Sequence, residues 1–131
     1  MCGIAGLFTS DHRIGPNQIV DLGQRLTTSL AHRGPDNAAV WHTEDGSLIL
    51  AHTRLAVIDP LARSNQPFLS PDGRYVFVYN GEFYNHQDCR KELVGRWDWK
   101  TDSDTETLLA LMILLGPKAA LRKVRGMFAF C

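Results

Sequence analysis

Met1-Cys2-Gly3-Ile4-Ala5-Gly6-Leu7-Phe8 opens the chain with a cysteine, two glycines and an apolar run, and the reading of this stretch decides the fold. A short, apolar, glycine-punctuated segment suits a buried strand whose backbone is closely approached by something else. Beyond the turn-like Thr9-Ser10-Asp11, the residues Ile19, Leu22, Leu26 and Leu30 recur at helical spacing behind Gly15-Pro16. That spacing predicts a helix covering one face of a sheet and ending at Arg33-Gly34-Pro35-Asp36. Leu48-Ile49-Leu50-Ala51 and Leu55-Ala56-Val57-Ile58 read as strand or strand-like segments, and Tyr75-Val76-Phe77-Val78-Tyr79 has the strongest strand composition of all. Residues Pro60 to Gly73 read as loop. Ser103 followed by Glu106 has the form of a capping box, with Asp104 in the first turn of a helix whose apolar run, Leu108 to Leu115, stops at Gly116-Pro117. Gly126 to Cys131 reads as a strand that has only just begun.

A length of 131 residues allows one domain with a core of its own, and residues 1–131 are read as a single unit. The 14 Lys and Arg residues are balanced by 14 Asp and Glu. Nucleic acid and anionic membrane surfaces are therefore excluded as partners, since either demands a concentrated basic patch. No apolar run approaches the roughly 20 residues that span a bilayer, and the first residues lack the order of a secretory signal, so the expected location is cytoplasmic. Cys2, Cys89 and Cys131 are odd in number and lack CxxC spacing, which argues against a disulfide framework and a zinc site. The histidines are scattered without neighbouring acidic or cysteine ligands, so no metal is expected.

Chemistry can be read at four places. An initiator methionine before a small residue is usually removed, which would make Cys2 the first residue of the mature chain. A terminal α-amine, with a pKa of about 7.7 to 8, can take the thiol proton without help from a histidine. The plainer reading of Cys2 is a small apolar residue in a strand. Asn80-Gly81 after a strand is a hairpin signal, yet an asparagine amide beside a glycine N–H also offers two donors to an oxyanion. Arg54, at the end of an apolar segment, is either an exposed surface residue or a guanidinium that grips a carboxylate through paired hydrogen bonds. Asp104 either complements a helix N-terminus or holds an ammonium. Together, one arginine and one aspartate suit the two ends of an amino acid.

The ordered motifs Met1-Cys2-Gly3-Ile4-Ala5-Gly6, His32-Arg33-Gly34-Pro35-Asp36, His52 to Asp59, Asn65-Gln66-Pro67, Asn80-Gly81-Glu82-Phe83-Tyr84-Asn85, Ser103-Asp104-Thr105-Glu106 and Gly126 to Phe130 resemble class II glutamine amidotransferases. Within that class they are most similar to glutamine-hydrolysing asparagine synthetases. The resemblance implies an α+β, N-terminal nucleophile hydrolase fold: a four-layer αββα arrangement of two stacked antiparallel sheets, here incomplete at its C-terminus. It implies that Cys2 attacks the side-chain amide of L-glutamine while the Asn80 side chain and the Gly81 N–H form the oxyanion hole. Arg54 and the backbone around Leu55, Val57 and Ile58 would hold the carboxylate end, and Glu82 and Asp104 the ammonium end.

Asp102 departs from the family pattern, where glycine is common, and places a charge beside Asp104. Length is the larger departure. Family members continue through further strands and then into an ATP-using synthetase domain, so ATP and magnesium are expected only there and no cofactor is expected in these residues. The implied function is the release of ammonia for asparagine synthesis or a similar amidation, with the accepting synthetase domain in cis or in trans. Two other readings stand beside it. One is a truncated glutaminase-like module without turnover; the other is an N-terminal cysteine hydrolase of a different amide.

Overall fold

The computed structural model describes residues 1–10 and 14–131, so the expected turn through Asp11 lies partly outside the described residues. The centre of the first sheet is β3, Leu48–Arg54, buried along nearly its whole length. It pairs antiparallel with β1, Gly3–Phe8, on one side and with β2, Asn37–His42, on the other. Helix α1, Pro16–Leu30, covers this sheet as its spacing predicts. Gly23 allows the close approach, because a Cβ there would stand 3.1 Å from a Val40 methyl.

Two short strands, β4 (Phe68–Leu69) and β5 (Val76–Phe77), form a separate ribbon. The remaining sheet pairs β6, Tyr79–Phe83, antiparallel with β7, Gly126–Phe130. Against its outer face lies α3, Asp104–Leu115, flanked by α2, His86–Glu92, and α4, Pro117–Lys123. β1 touches β6, so the order through the molecule is helix, sheet, sheet, helix. The main core fills the β6–α3 interface, where Phe77, Tyr79 and Phe83 meet Leu108, Leu109 and Leu111. Burying side chains of this size contributes about 1.5 to 3 kcal/mol each.

The structure corrects several expectations, each for a local reason. Leu55 to Ile58 is not a strand, because side chains have taken its backbone donors: the Leu55 N–H meets Cys2 Sγ at 3.4 Å and the Ala56 N–H meets Asp36 Oδ2 at 2.7 Å. The stretch Tyr75 to Tyr79 is not one strand either. Val76–Phe77 pairs with Phe68–Leu69, whereas Tyr79 starts β6 and gives its N–H to Gln66 Oε1 at 2.6 Å. Asn80-Gly81 is the middle of β6 and not a hairpin turn. The glycine answers a different need: a Cβ at residue 81 would lie 2.3 Å from the Met127 carbonyl oxygen of β7.

β1 is buried only at its beginning, with Leu7 39% and Phe8 70% exposed. Half of the expected capping box is present, since Ser103 Oγ accepts the Glu106 N–H at 3.2 Å. The Glu106 carboxylate turns to other partners. The segment from Pro60 to Gly73 holds a 3-10 turn at Ala62–Ser64 and β4 within its loops. β2, α2 and α4 are additional to the elements expected. Among the described residues no helix is long and apolar enough to cross a membrane.

Candidate active site

A cavity of about 250 Å³ opens where β1, β3, β6 and the start of α3 converge, and it is bordered by Cys2, Arg54, Leu55, Val57, Ile58, Gly81, Glu82 and Asp104. These residues span the sequence from one end nearly to the other, and the fold unites them. Asn80 does not border the cavity. It sits one residue from Gly81 on β6 with its Oδ1 buried and without a partner.

Cys2 lines this cavity and is held by the residue that follows β3. Its Sγ receives the Leu55 N–H, and its carbonyl receives Arg33 Nε at 3.3 Å. The Arg33-Gly34-Pro35-Asp36 motif thereby acts as a bracket. Gly34 presses on the same strand end, where a Cβ would stand 2.5 Å from the Thr53 carbonyl, and Asp36 donates its own N–H to the Arg54 carbonyl at 2.9 Å. Met1 still precedes Cys2 and itself lines the cavity.

Asp104 lines the same cavity and is almost wholly buried. Its Oδ2 accepts the Tyr79 hydroxyl and the Phe83 N–H, each at 3.1 Å. Burial first, and then the charge of Asp104, push the Tyr79 hydroxyl upward in pKa, so it remains a donor to the carboxylate. Gln66 links the same elements by donating Nε2 to Thr105 Oγ1 at 3.2 Å while accepting from Tyr79 N–H. Tyr79, Gln66 and Asp36 are structural members of the site. The ordered motifs contained Gln66 and Asp36, but nothing in their spacing disclosed these partners.

The buried Arg54 departs from the expected paired grip on a carboxylate. Nη1 donates to the Leu61 carbonyl at 2.9 Å and to Asn65 Oδ1 at 2.7 Å, and Nη2 donates to the Ile58 and Asp59 carbonyls. Both terminal nitrogens are occupied by the loop that follows β3. Nε–H is left as the donor not engaged among the described residues.

Behind Arg54, His52 is fully buried on β3, with Nε2 donating to the Tyr79 carbonyl at 3.2 Å and Nδ1 unpartnered. Burial pulls its pKa down to about 4, so it is neutral at physiological pH. Among the described residues no group of three or more His, Cys, Asp or Glu side chains is arranged to hold a metal ion.

A cysteine just before β1, on a cavity lined from both of two stacked sheets with helices outside, fits the N-terminal nucleophile fold of amidotransferases. The glutamine phosphoribosylpyrophosphate amidotransferase of Bacillus subtilis, solved with ADP and GMP, has this fold: it superposes with a TM-score of 0.74 at 21% identity, covering 97% of this chain and 34% of that one. The chain belongs to the glutamine amidotransferase domain family, whose model it matches over residues 1–131.

Among its relatives, asparagine synthetase B (glutamine-hydrolysing) of Escherichia coli K12 is 37% identical over 130 residues, covering 99% of this chain and 22% of that protein. Asparagine synthetase (glutamine-hydrolysing) 1 of Bacillus subtilis 168 is 36% identical over 131 residues, covering 99% and 20%. The chain thus spans about a fifth of the length of these curated relatives.

Proposed function

We propose that this chain hydrolyses the side-chain amide of L-glutamine through Cys2, as the ammonia-producing part of a glutamine-dependent synthetase of the asparagine-forming kind. The observation that carries this reading is the placement of Cys2 Sγ and the Gly81 backbone on one cavity with the buried Asp104 carboxylate. Removal of Met1 would clear part of the cavity and expose the Cys2 α-amine, which is the base. The amine takes the thiol proton as Sγ bonds to the glutamine amide carbon, and the oxyanion forms against the Gly81 N–H and the Asn80 amide.

Collapse of that intermediate breaks the C–N bond, with the amine returning its proton to the leaving ammonia and a thioester remaining on Cys2. Water, deprotonated by the same amine, then releases glutamate. Asp104 and Glu82 take the substrate ammonium. The Arg54 Nε–H and the backbone from Leu55 to Ile58 take its carboxylate. The ammonia would pass to a synthetase domain, in cis or in trans, where ATP and magnesium belong. We place the reaction in the cytoplasm, where a thiol nucleophile stays reduced.

The test is a glutamine-mimicking diazo ketone applied to the protein, combined with intact-mass measurement. Cys2 should be labelled ahead of Cys89 and Cys131, and only in molecules that have lost Met1. Turnover by molecules that retain Met1, or equal labelling of all three cysteines, would overturn the mechanism.

A further inference from the structure

The loop after β3 and the segment that starts α3 both line the cavity, and three charged residues that do not themselves border it join them. Asp59 adopts a left-handed backbone conformation, φ 46°, and its side chain is only 2% exposed. Its Oδ2 accepts Arg63 Nε at 2.9 Å and the Asp102 backbone N–H at 2.8 Å. Arg63 completes a closed triangle, because its Nη2 donates to Asp102 Oδ2 at 2.9 Å. The carboxylate of Asp102 thus gives Oδ2 to Arg63, while its Oδ1 stands 4.0 Å from Arg90 Nη2, and Asp104, two residues on, keeps Oδ2 for Tyr79 and Phe83.

Asp59 also faces the opposite way through its backbone, since its carbonyl and that of Ile58 receive the Arg54 guanidinium. One residue therefore connects the wall that carries Val57 and Ile58 to the segment that carries Asp104.

We infer that Arg63 and Asp102 are positioning residues whose ion pair sets the distance between the groups that take the two ends of glutamine. The inference rests on the proposed glutaminase reading. Neither side chain touches the substrate. Opening the triangle lets the Val57–Ile58 wall drift from Asp104, which weakens ground-state recognition and leaves Asn80 and Gly81 undisturbed on β6. The pair is exposed, Arg63 at 44% and Asp102 at 74%, so its strength is modest and falls as salt screens it over a Debye length of about 10 Å at 0.1 M.

The experiment measures ammonia release against glutamine concentration for the protein and for Arg63→Met, Asp102→Gly, the double variant and Arg63→Lys, at low and high ionic strength. Arg63→Met and Asp102→Gly should each raise KM about 3- to 5-fold at nearly constant kcat, the rise in the double variant should fall short of the product of the two single rises because they share the Arg63–Asp102 pair, and Arg63→Lys should recover part of the loss. Raising salt should raise KM in the parent and not in the variants.

Unchanged KM in the variants, additive effects, or equal losses in kcat would overturn the inference while leaving the glutaminase reading intact. Failure of the parent, freed of Met1, to release ammonia or to bind glutamine in a Cys2→Ala background would overturn both.

Discussion

The two walls of the cavity are built in opposite ways. The α3 wall is buried residue by residue from Ser103 to Leu111 and is fixed by a charge brought inside. The Glu106 carboxylate, 1% exposed, accepts Trp97 Nε1, the Lys100 N–H, the Thr101 N–H and the Thr101 hydroxyl. The wall after β3 is irregular and faces outward, with Val57 65% and Leu61 57% exposed, and it is held mainly by hydrogen bonds to one guanidinium. A helix start with its own buried acceptor is a rigid platform. A loop pinned by Arg54 is an adjustable one, so stability is expected to depend more on the first wall than on the second.

The largest expected effect therefore belongs to the rigid wall. Glu106→Ala removes one acceptor group and strands several buried donors, each costing about 1 to 3 kcal/mol, so a loss of about 3 to 5 kcal/mol is expected in urea unfolding. A loss below about 1 kcal/mol would show that the α3 wall is held by its packing alone.

A slightly smaller effect comes from His52, buried on β3 and tied to the Tyr79 carbonyl of β6. Its pKa is about 4 in the folded state against 6.5 for the free group, so between these values the unfolded chain binds the proton more readily. The sign follows: the stability from neutral His52 is fully present above pH 6.5, declines as pH falls, and is lost below about 4. Each tenfold change in proton affinity corresponds to about 1.4 kcal/mol, which makes the contribution on the order of 3 kcal/mol. His52→Gln should flatten the dependence of urea midpoint on pH across this window, and an unchanged slope would remove His52 as its source.

The smallest effect on stability should come from the adjustable wall. Arg54→Met keeps the volume, and the carbonyls it releases lie on a loop that water can reach, so a loss of only about 1 to 2 kcal/mol is expected. Glutamine affinity should fall at least about 10-fold, as expected when a charge-assisted contact is lost, and amide exchange from Leu55 to Asn65 should quicken while that of α3 does not. Equal quickening of both would mean the walls are one cooperative unit.

Much of this is legible in the chain because the signals are local. Gly15-Pro16 with its helical spacing marks α1, Ser103 with Asp104 marks the start of α3, and Cys2 stands out by its place beside the initiator methionine. The departures share one cause. At Leu55, Ala56 and Tyr79 the backbone donors go to Cys2, Asp36 and Gln66, side chains remote in sequence, and strand propensity has no means of seeing such partners. The hairpin reading of Asn80-Gly81 fails for a related reason: its glycine serves the crossing of β7 nearby, which lies more than forty residues ahead.

By itself, then, the sequence determined which residue types were available for chemistry: a terminal cysteine, an amide beside a glycine, and a carboxylate at a helix start. Only the tertiary structure decided what several of them do. Arg54 became the hub of a loop, because that loop folds back and surrounds its terminal nitrogens with acceptors. Asp102 became half of a clamp, because Arg63 and Asp59 arrive beside it from about forty positions away. Hydrogen-bond partners are set by distance in space, and distance in space is what a list of residues does not contain.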